Sequence, residues 1–243
     1  MRCPRCQQDQ PDGLEECRAC GVIFSRYRPR PGRPESSAGA DRGWLASRLL
    51  PDPGEPSQGA VVLRALLLLV LAIWWLRLLF VPIQGEALLG SVLHWIHLPF
   101  HEAGHVVFAP FGEFLHILGG TLGQLLVPVL VLGAFLTQED AFGAAVAAWW
   151  LGQSFMDCAP YIDDARAGVL MLTTGMCGQE DRAGHDWFMI LFKTGLLRHD
   201  HDLARISWLL GVLVMLAALG WATLVLWRQF QAAGLWNVLK RLD

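Results

Sequence analysis

Long apolar segments recur along the chain from residue 60 onward and define its predicted elements. About 20 consecutive apolar residues span a bilayer as a helix. Five segments have this character, although the first, the second and the fourth also carry ionisable side chains. They are residues 61–83, 87–111, 117–137, 141–162 and 206–227. The pattern predicts an all-α polytopic membrane domain over residues 60–243 with about five transmembrane helices, or six if residues 165–200 contain a further embedded piece.

The composition supports a membrane protein and argues against an ordinary soluble enzyme. Hydrophobic residues make up 53% of the 243 residues, whereas charged residues make up only 17%. In a soluble domain about a quarter of the residues are charged. The net charge of −3 does not favour a nucleic-acid partner. Because the apolar fraction is high and the charged fraction is low, we expect membrane lipid to surround residues 60–243.

The first 59 residues differ from the rest of the chain. They hold nine of the nineteen basic residues, and residues 28–59 are rich in Pro, Gly, Ser and Arg. We interpret residues 28–59 as a flexible linker. Since basic segments stay in the cytoplasm, we predict a cytoplasmic N-terminus and a bacterial inner-membrane location. A fifth span would place the basic C-terminus outside the cytoplasm, which the distribution of basic residues disfavours. Either the last segment does not simply cross the membrane, or a further membrane-embedded piece lies within residues 165–200.

Two CxxC pairs near the N-terminus have the spacing of a structural zinc site. The pairs are Cys3 with Cys6 and Cys17 with Cys20, and ten residues separate them. Four thiolates suit tetrahedral Zn²⁺, and so small a unit needs the metal in order to fold. Residues 1–27 resemble the zinc-ribbon heads of bacterial proteins, which implies a cytoplasmic protein partner. Disulfide pairing is the alternative, but the cytoplasm is reducing.

The pentad at residues 101–105 reads His-Glu-Ala-Gly-His and is the most informative motif. Residues four apart share one face of a helix, so His101 and His105 can bind one metal ion. Glu102 adjoins the first of them and is the candidate general base that takes a proton from water. The alternative is a buried His/Glu network that holds helices together. We interpret His94 and His97 as polar packing residues or as partners of the ligands.

Two histidines leave a third zinc ligand to be identified. The candidates are Asp157, Asp163, Asp164, His185 and Asp186. Asp163 and Asp164 end the fourth apolar segment, and they reach the depth of the pentad only if Pro160 bends that helix. His185 and Asp186 precede an apolar stretch that is also typical of an interfacial helix. Spacing alone leaves all five candidates open.

The chain resembles the site-2 proteases, a family of intramembrane zinc metalloproteases, over residues 88–170. That family carries the His-Glu-x-x-His pentad on one membrane helix and Asn-x-x-Pro followed by Asp-Gly on a later one. The segment Asp157-x-x-Pro160 followed by Asp164-Ala165 is similar. It differs in having Asp for Asn, Ala for Gly and a Pro-to-Asp interval that is one residue shorter.

The resemblance also implies roles for individual residues. It implies that Asp164 is the third zinc ligand, with Asp163 and then His185 as the alternatives. Residues 119–128 resemble the Gly-rich stretch that follows the pentad helix in the family, and packing between helices is their other interpretation. The candidate substrate-binding residues are Gly120, Gln124 and Pro160.

We predict a membrane-embedded zinc endopeptidase that hydrolyses peptide bonds of membrane-associated substrates. Zn²⁺ is the expected cofactor at two sites, one catalytic and one structural in the ribbon. An intact helix shields its amides, so a helical substrate must unwind locally before cleavage. The alternatives are a noncatalytic metal-binding membrane adaptor and a metal transporter, because intramembrane His and Asp side chains also form ion paths. The glutamate directly after the first histidine favours hydrolysis over transport.

Overall fold

The computed structural model describes residues 1–3, 8–26, 43–84 and 90–234. The chain divides into two compact units, Met1–Gly43 and Trp44–Asp243. Within the described ranges the chain is helical, with isolated β-bridges but no extended strand. The prediction that the chain is all-α beyond its N-terminal unit is therefore confirmed for the described residues.

The N-terminal unit brings three of its cysteines together. The sulfur atoms of Cys3, Cys17 and Cys20 lie within 4.8 Å of one another. Cys3 and Cys17 are each only 1% exposed, and two short antiparallel bridges close the turns on which the three cysteines lie. The fourth predicted ligand, Cys6, lies outside the described residues. A single 3-10 turn, Phe24–Arg26, follows the second CxxC pair.

The second unit is built from helices of very different length. In the described ranges they are α1 (Trp44–Leu49), α2 (Gln58–Leu78), α3 (Val92–Phe108), α4 (Glu113–Thr137), α5 (Ala141–Asp163), α6 (Asp186–Thr194) and α7 (Asp200–Ala232). Single 3-10 turns, Ala109–Phe111 and Leu197–His199, lead into α4 and α7. The loop between α5 and α6 has no regular secondary structure beyond one isolated bridge.

Three helical segments of the described chain are long and apolar enough to cross a membrane. They are Gln58–Leu78, Glu113–Thr137 and Leu197–Ala232, and they correspond to the first, third and fifth predicted spans. The other two predicted spans form helices of a different kind. α3 has 17 residues, fewer than the roughly 20 that cross a bilayer. α5 has 23 residues, most of them buried by neighbouring helices.

Glycines allow α3 and α4 to pack at very short range. Gly104 of α3 faces Gly119 and Gly123 of α4, and a Cβ atom built on Gly119 would lie 2.6 Å from the Gly104 carbonyl oxygen. Small residues let helix backbones approach closely in this way. The reversal between the two helices passes through Gly112, whose φ of 101° favours glycine. Because Gly104 belongs to the pentad, this close packing holds the pentad against α4.

A second close contact joins α5 to α7. A Cβ atom on Gly211 of α7 would lie 2.5 Å from the carbonyl oxygen of Gly152 of α5. Trp149, Met156 and Met215 form the apolar cluster beside this crossing, and all three are almost fully buried. α5 also packs against α4, so it occupies the centre of the second unit.

Part of the segment that we predicted as a flexible linker is ordered against the helices. The Arg48 guanidinium of α1 donates hydrogen bonds to two carbonyl groups in the last turn of α4, at 3.2 and 2.9 Å. The indole N–H of Trp221 in α7 donates to the Leu49 carbonyl at 2.7 Å. The reason is that α1 satisfies carbonyls that α4 leaves unpaired at its end. Residues 27–42, which include the first half of the linker, lie outside the described residues.

Candidate metal centre

The two histidines of the pentad share one face of α3 and lie against α4. Their rings are 4.8 Å apart between centroids. Gly120 of α4 lies directly beside them, and a Cβ atom at this position would lie 2.5 Å from the Nε2 atoms of both His101 and His105. Gly120, predicted as a substrate-binding residue, therefore gives the imidazoles the room to converge.

Asp186, at the start of α6, completes a group of three potential ligands. Its Oδ2 atom lies 3.0 Å from Nε2 of His101 and 3.1 Å from Nε2 of His105. Zn–N and Zn–O bonds of about 2.0–2.2 Å require ligand atoms about 3.4 Å apart in a tetrahedron. Two imidazole nitrogens and one carboxylate oxygen at this spacing fit a zinc ion and leave a fourth coordination position open.

A backbone hydrogen bond orients His105. Its Nδ1–H donates to the carbonyl oxygen of His116 at 2.8 Å, and the ring of His116 donates in return to the carbonyl of His105, also at 2.8 Å. With Nδ1 bonded to this carbonyl, Nε2 is the nitrogen directed at Asp186, and it can bind a metal ion after it releases its proton. Such a backbone acceptor is the usual partner of a metal-binding imidazole.

The position of Asp186 depends on the residue before it. His185 caps α6, since its Nδ1 accepts a hydrogen bond from the Phe188 N–H at 3.2 Å. The carboxylate of Asp186 then lies in the first turn of α6, where the helix dipole favours a negative charge. Burial alone would raise the pKa of Asp186, but the hydrogen bonds from His101 and His105 lower it below its usual value.

Asp164, which the resemblance implied as third ligand, has a different position and different partners. Its two carboxylate oxygens accept hydrogen bonds from the backbone N–H groups of Val169 and Leu170, at 2.9 and 3.0 Å. Nε2 of His185 lies 3.4 Å from Oδ2 of Asp164. Burial alone would raise the pKa of Asp164, but the bond from His185 and the two N–H groups lower it below its usual value. Its contacts therefore anchor the loop that leads to α6.

The two alternatives to Asp164 are also engaged elsewhere. Asp163 accepts a hydrogen bond from Nδ1 of His201 in α7 at 2.7 Å. His185 uses Nδ1 as the cap of α6 and directs Nε2 at Asp164, so both of its nitrogens have partners. The structure thus brings Asp186 to the pentad histidines. It does not bring Asp163, Asp164 or His185 into this group.

Asp157, another candidate ligand, lies at the centre of a buried hydrogen-bond network. Nδ1 of His94 lies 3.1 Å from its Oδ2 atom, and Nδ1 of His97 lies at the same distance. Gln124 of α4 donates to the same oxygen at 2.9 Å. Asp157 is only 3% exposed, so these three donors satisfy a carboxylate that would otherwise be unpaired in the interior. The network joins α3, α4 and α5 beside the metal centre.

A cavity of about 70 Å³ connects this network with the candidate ligands. His101 and Asp186 form one part of its wall, and His94, Gln124 and Asp157 form another. Gln124 therefore lies in the wall of the cavity, as a substrate-binding residue requires. Pro160, the third residue predicted for substrate binding, is buried inside α5 and does not line the cavity.

Glu102, the predicted general base, is exposed on the surface of α3. It is close enough to His105 to interact with it electrostatically, but it does not line the cavity. The spacing of the pentad explains this position. On a helix, a residue that directly follows His101 is rotated by about 100° from it and lies beside the ligand face rather than on it.

Sequence reasoning did not select Asp186, although it was among the five candidates. It lies 85 residues after His101, and its position depends on the path of the loop between α5 and α6. One local signal was available, because a His-Asp pair directly before an apolar stretch is consistent with a helix cap followed by a first-turn carboxylate.

No family model, curated protein or solved structure matches this chain.

Proposed function

We propose that the chain is a membrane-embedded zinc metallopeptidase that hydrolyses peptide bonds of membrane-associated substrates. The observation that carries the proposal is the convergence of His101, His105 and Asp186, which present two imidazole nitrogens and one carboxylate oxygen to one point. Three protein ligands with one open position are the donor set of hydrolytic zinc. A bound zinc ion supplies the Lewis acidity that activates water at neutral pH.

Other residues of the chain orient the ligands and take up the proton. The backbone carbonyl of His116 holds His105 in the tautomer that presents Nε2, and Gly120 leaves room for both rings. Glu102 adjoins the ligand face and serves as the carboxylate that takes up the proton of the attacking water. Because its side chain is exposed on the surface of α3, this role requires Glu102 to change its rotamer toward the ligands.

We also propose how the chain is arranged around the membrane. α3 and α5 lie within the membrane domain beside the long apolar helices, since α3 packs on α4 and α5 packs on both α4 and α7. The N-terminal unit binds a structural zinc ion through Cys3, Cys17 and Cys20 with Cys6 as the fourth ligand. It faces the cytoplasm of a bacterium, where it binds a protein partner.

The sharpest test of the catalytic proposal is Glu102→Gln, which removes the base without changing the size of the side chain. We expect wild type to cleave a reporter transmembrane peptide in detergent or vesicles. We expect the variant to be slower by about 100-fold or more, with an unchanged zinc content. The matched control is His199→Asn, an exposed histidine of the same chain with a side-chain exposure of 61%. Full cleavage by Glu102→Gln, or no cleavage by wild type, would contradict the proposal.

One observation favours a second function, that of a noncatalytic metal-binding membrane protein. Glu102 is exposed and is absent from the cavity that His101 and Asp186 line. A purely structural metal site needs the three ligands but no base. Under that alternative the wild-type protein binds zinc at the centre and does not cleave the reporter peptide.

A further inference from the structure

His94 lines the cavity beside the metal centre and has no role in the chemistry proposed above. His94 lies two turns before His101 on α3, so both side chains are directed to the same side of the helix. His94 lines the cavity together with His101 and Asp186. Seven residues of helix span about 10 Å along the axis, and this is the distance that a substrate or water in the shared cavity bridges between His94 and His101.

Asp157 holds the ring of His94 in a defined orientation. Nδ1 of His94 lies 3.2 and 3.1 Å from the two carboxylate oxygens of Asp157. Gln124 and His97 bind the same carboxylate and fix it in place. With Nδ1 turned to Asp157, Nε2 is the nitrogen of His94 that remains for the cavity. A carboxylate on Nδ1 orients an imidazole and stabilises its protonated form.

His97 binds the same carboxylate, but it has no free nitrogen. The indole N–H of Trp150 donates to its Nε2 at 2.7 Å, so Nε2 is an acceptor and Nδ1 carries the proton. The hydroxyl group of Ser154 lies 3.1 Å from the same Nε2. His97 is 1% exposed. It therefore acts as a fixed support of Asp157, whereas the side chain of His94 is 13% exposed.

A second, independent observation indicates that a polar ligand enters the cavity. The hydroxyl group of Thr121 is buried and has no hydrogen-bond partner among the described residues, and Thr121 lines the cavity. Buried hydroxyl groups are almost always paired, so an unpaired one at a cavity wall is suited to bind a polar group of a ligand. A peptide amide supplies such a group.

We propose that His94 is a further catalytic residue, which donates the proton of Nε2–H, through one water molecule of the cavity, to the nitrogen of the peptide bond that is cleaved. The inference rests on the proposed peptidase function. As the C–N bond breaks, its electron pair stays on the nitrogen, which takes the proton from His94 and leaves as an amine. The hydroxyl group of the attacking water remains on the carbonyl carbon, and its proton passes to Glu102. The proton on Glu102 then returns through water to the neutral His94, which restores both residues for the next cycle.

His94→Asn is the most informative variant. The asparagine amide occupies the position of Nδ1 and still donates to Asp157, but the variant has no counterpart of Nε2. We expect cleavage of the reporter peptide to fall by about 100-fold or more, with zinc content and melting temperature unchanged. The matched control is again His199→Asn, for which we expect wild-type cleavage.

A chemical rescue experiment tests the role of the imidazole itself. We expect His94→Ala to be as slow as His94→Asn, and we expect added imidazole to restore a measurable part of the rate. A purely structural histidine gives no such rescue. The role of His94 would be overturned by wild-type rates in His94→Asn, or by a slow His94→Ala variant that imidazole does not restore. Neither outcome affects the peptidase proposal, which the Glu102→Gln variant tests separately. Absence of cleavage by wild type would overturn both.

Discussion

At the scale of single residues, the metal centre depends on one position that has no side chain. Gly120 of α4 lies beside both imidazoles, and an added methyl group would lie 2.5 Å from each Nε2 atom. A contact this short forces at least one ring to move away from Asp186. Glycine at this position therefore leaves the space in which the three side chains converge.

Gly120→Ala should weaken zinc binding at the centre by about tenfold or more, because the displaced rings no longer reach one ion together. The measurement is competition with a chelator of known affinity on purified protein. Gly133→Ala in the same helix is the matched control, since a Cβ atom at that position has no neighbour within 4 Å. Equal zinc affinity in the two variants would show that Gly120 does not shape the site.

Asp164 is a residue whose role can be tested through pH. Its pKa is lowered in the folded protein, so its ionised form stabilises the fold. That contribution is complete above the pKa of the unfolded chain, about 3.9, and is lost as the pH falls through the lower folded pKa. We expect the melting temperature of the metal-free protein to fall between pH 6 and pH 3 by less in Asp164→Asn than in wild type. An equal fall in both proteins would contradict the loop-anchoring role.

The residue scale also explains why the sequence did not single out Asp186 as the partner of the pentad histidines. His101 and His105 are linked by helical spacing alone, so the pentad was sufficient to pair them. Asp164 occurs in a motif that resembles one in a known family, yet the N–H groups of Val169 and Leu170 occupy its carboxylate. Asp186 reaches the histidines only through the loop that Asp164 anchors, and no local spacing describes that path.

At the scale of elements, packing between helices depends on glycine pairs. A Cβ atom on Gly211 would lie 2.5 Å from the carbonyl oxygen of Gly152, so α5 and α7 are in backbone contact at this crossing. The apolar pattern predicted the existence of these helices. It did not distinguish α5, which is buried between other helices, from a helix that faces lipid, because both require apolar residues over the same length.

Gly211→Ala should lower the free energy of unfolding by about 1–3 kcal/mol, because the added methyl group must separate two backbones. Gly220→Ala, further along the same helix, meets nothing within 4 Å and should be neutral or slightly stabilising, since alanine favours helix. Chemical denaturation in detergent micelles provides the comparison. If Gly211→Ala proves as stable as Gly220→Ala, the close crossing of α5 and α7 is wrong.

At the scale of the whole molecule, hydropathy predicted a helical membrane protein, and three long apolar helices support that class. Three polar residues of the predicted second and fourth spans share one network with a residue of the third. His94, His97, Asp157 and Gln124 satisfy one another inside the second unit, so these polar side chains are directed at one another. Their cost in an apolar environment is offset by mutual hydrogen bonds, and this arrangement could not be deduced from each segment taken alone.

The most direct test of the central claim is the zinc affinity of the centre in two matched variants, Asp186→Asn and Asp164→Asn. In both proteins the cysteines of the N-terminal unit are unchanged and provide an internal reference. We expect wild type to bind two zinc ions per chain, Asp164→Asn to retain both, and Asp186→Asn to lose the ion that His101 and His105 hold. Retention of that ion in Asp186→Asn together with its loss in Asp164→Asn would contradict the assignment of Asp186 as third ligand.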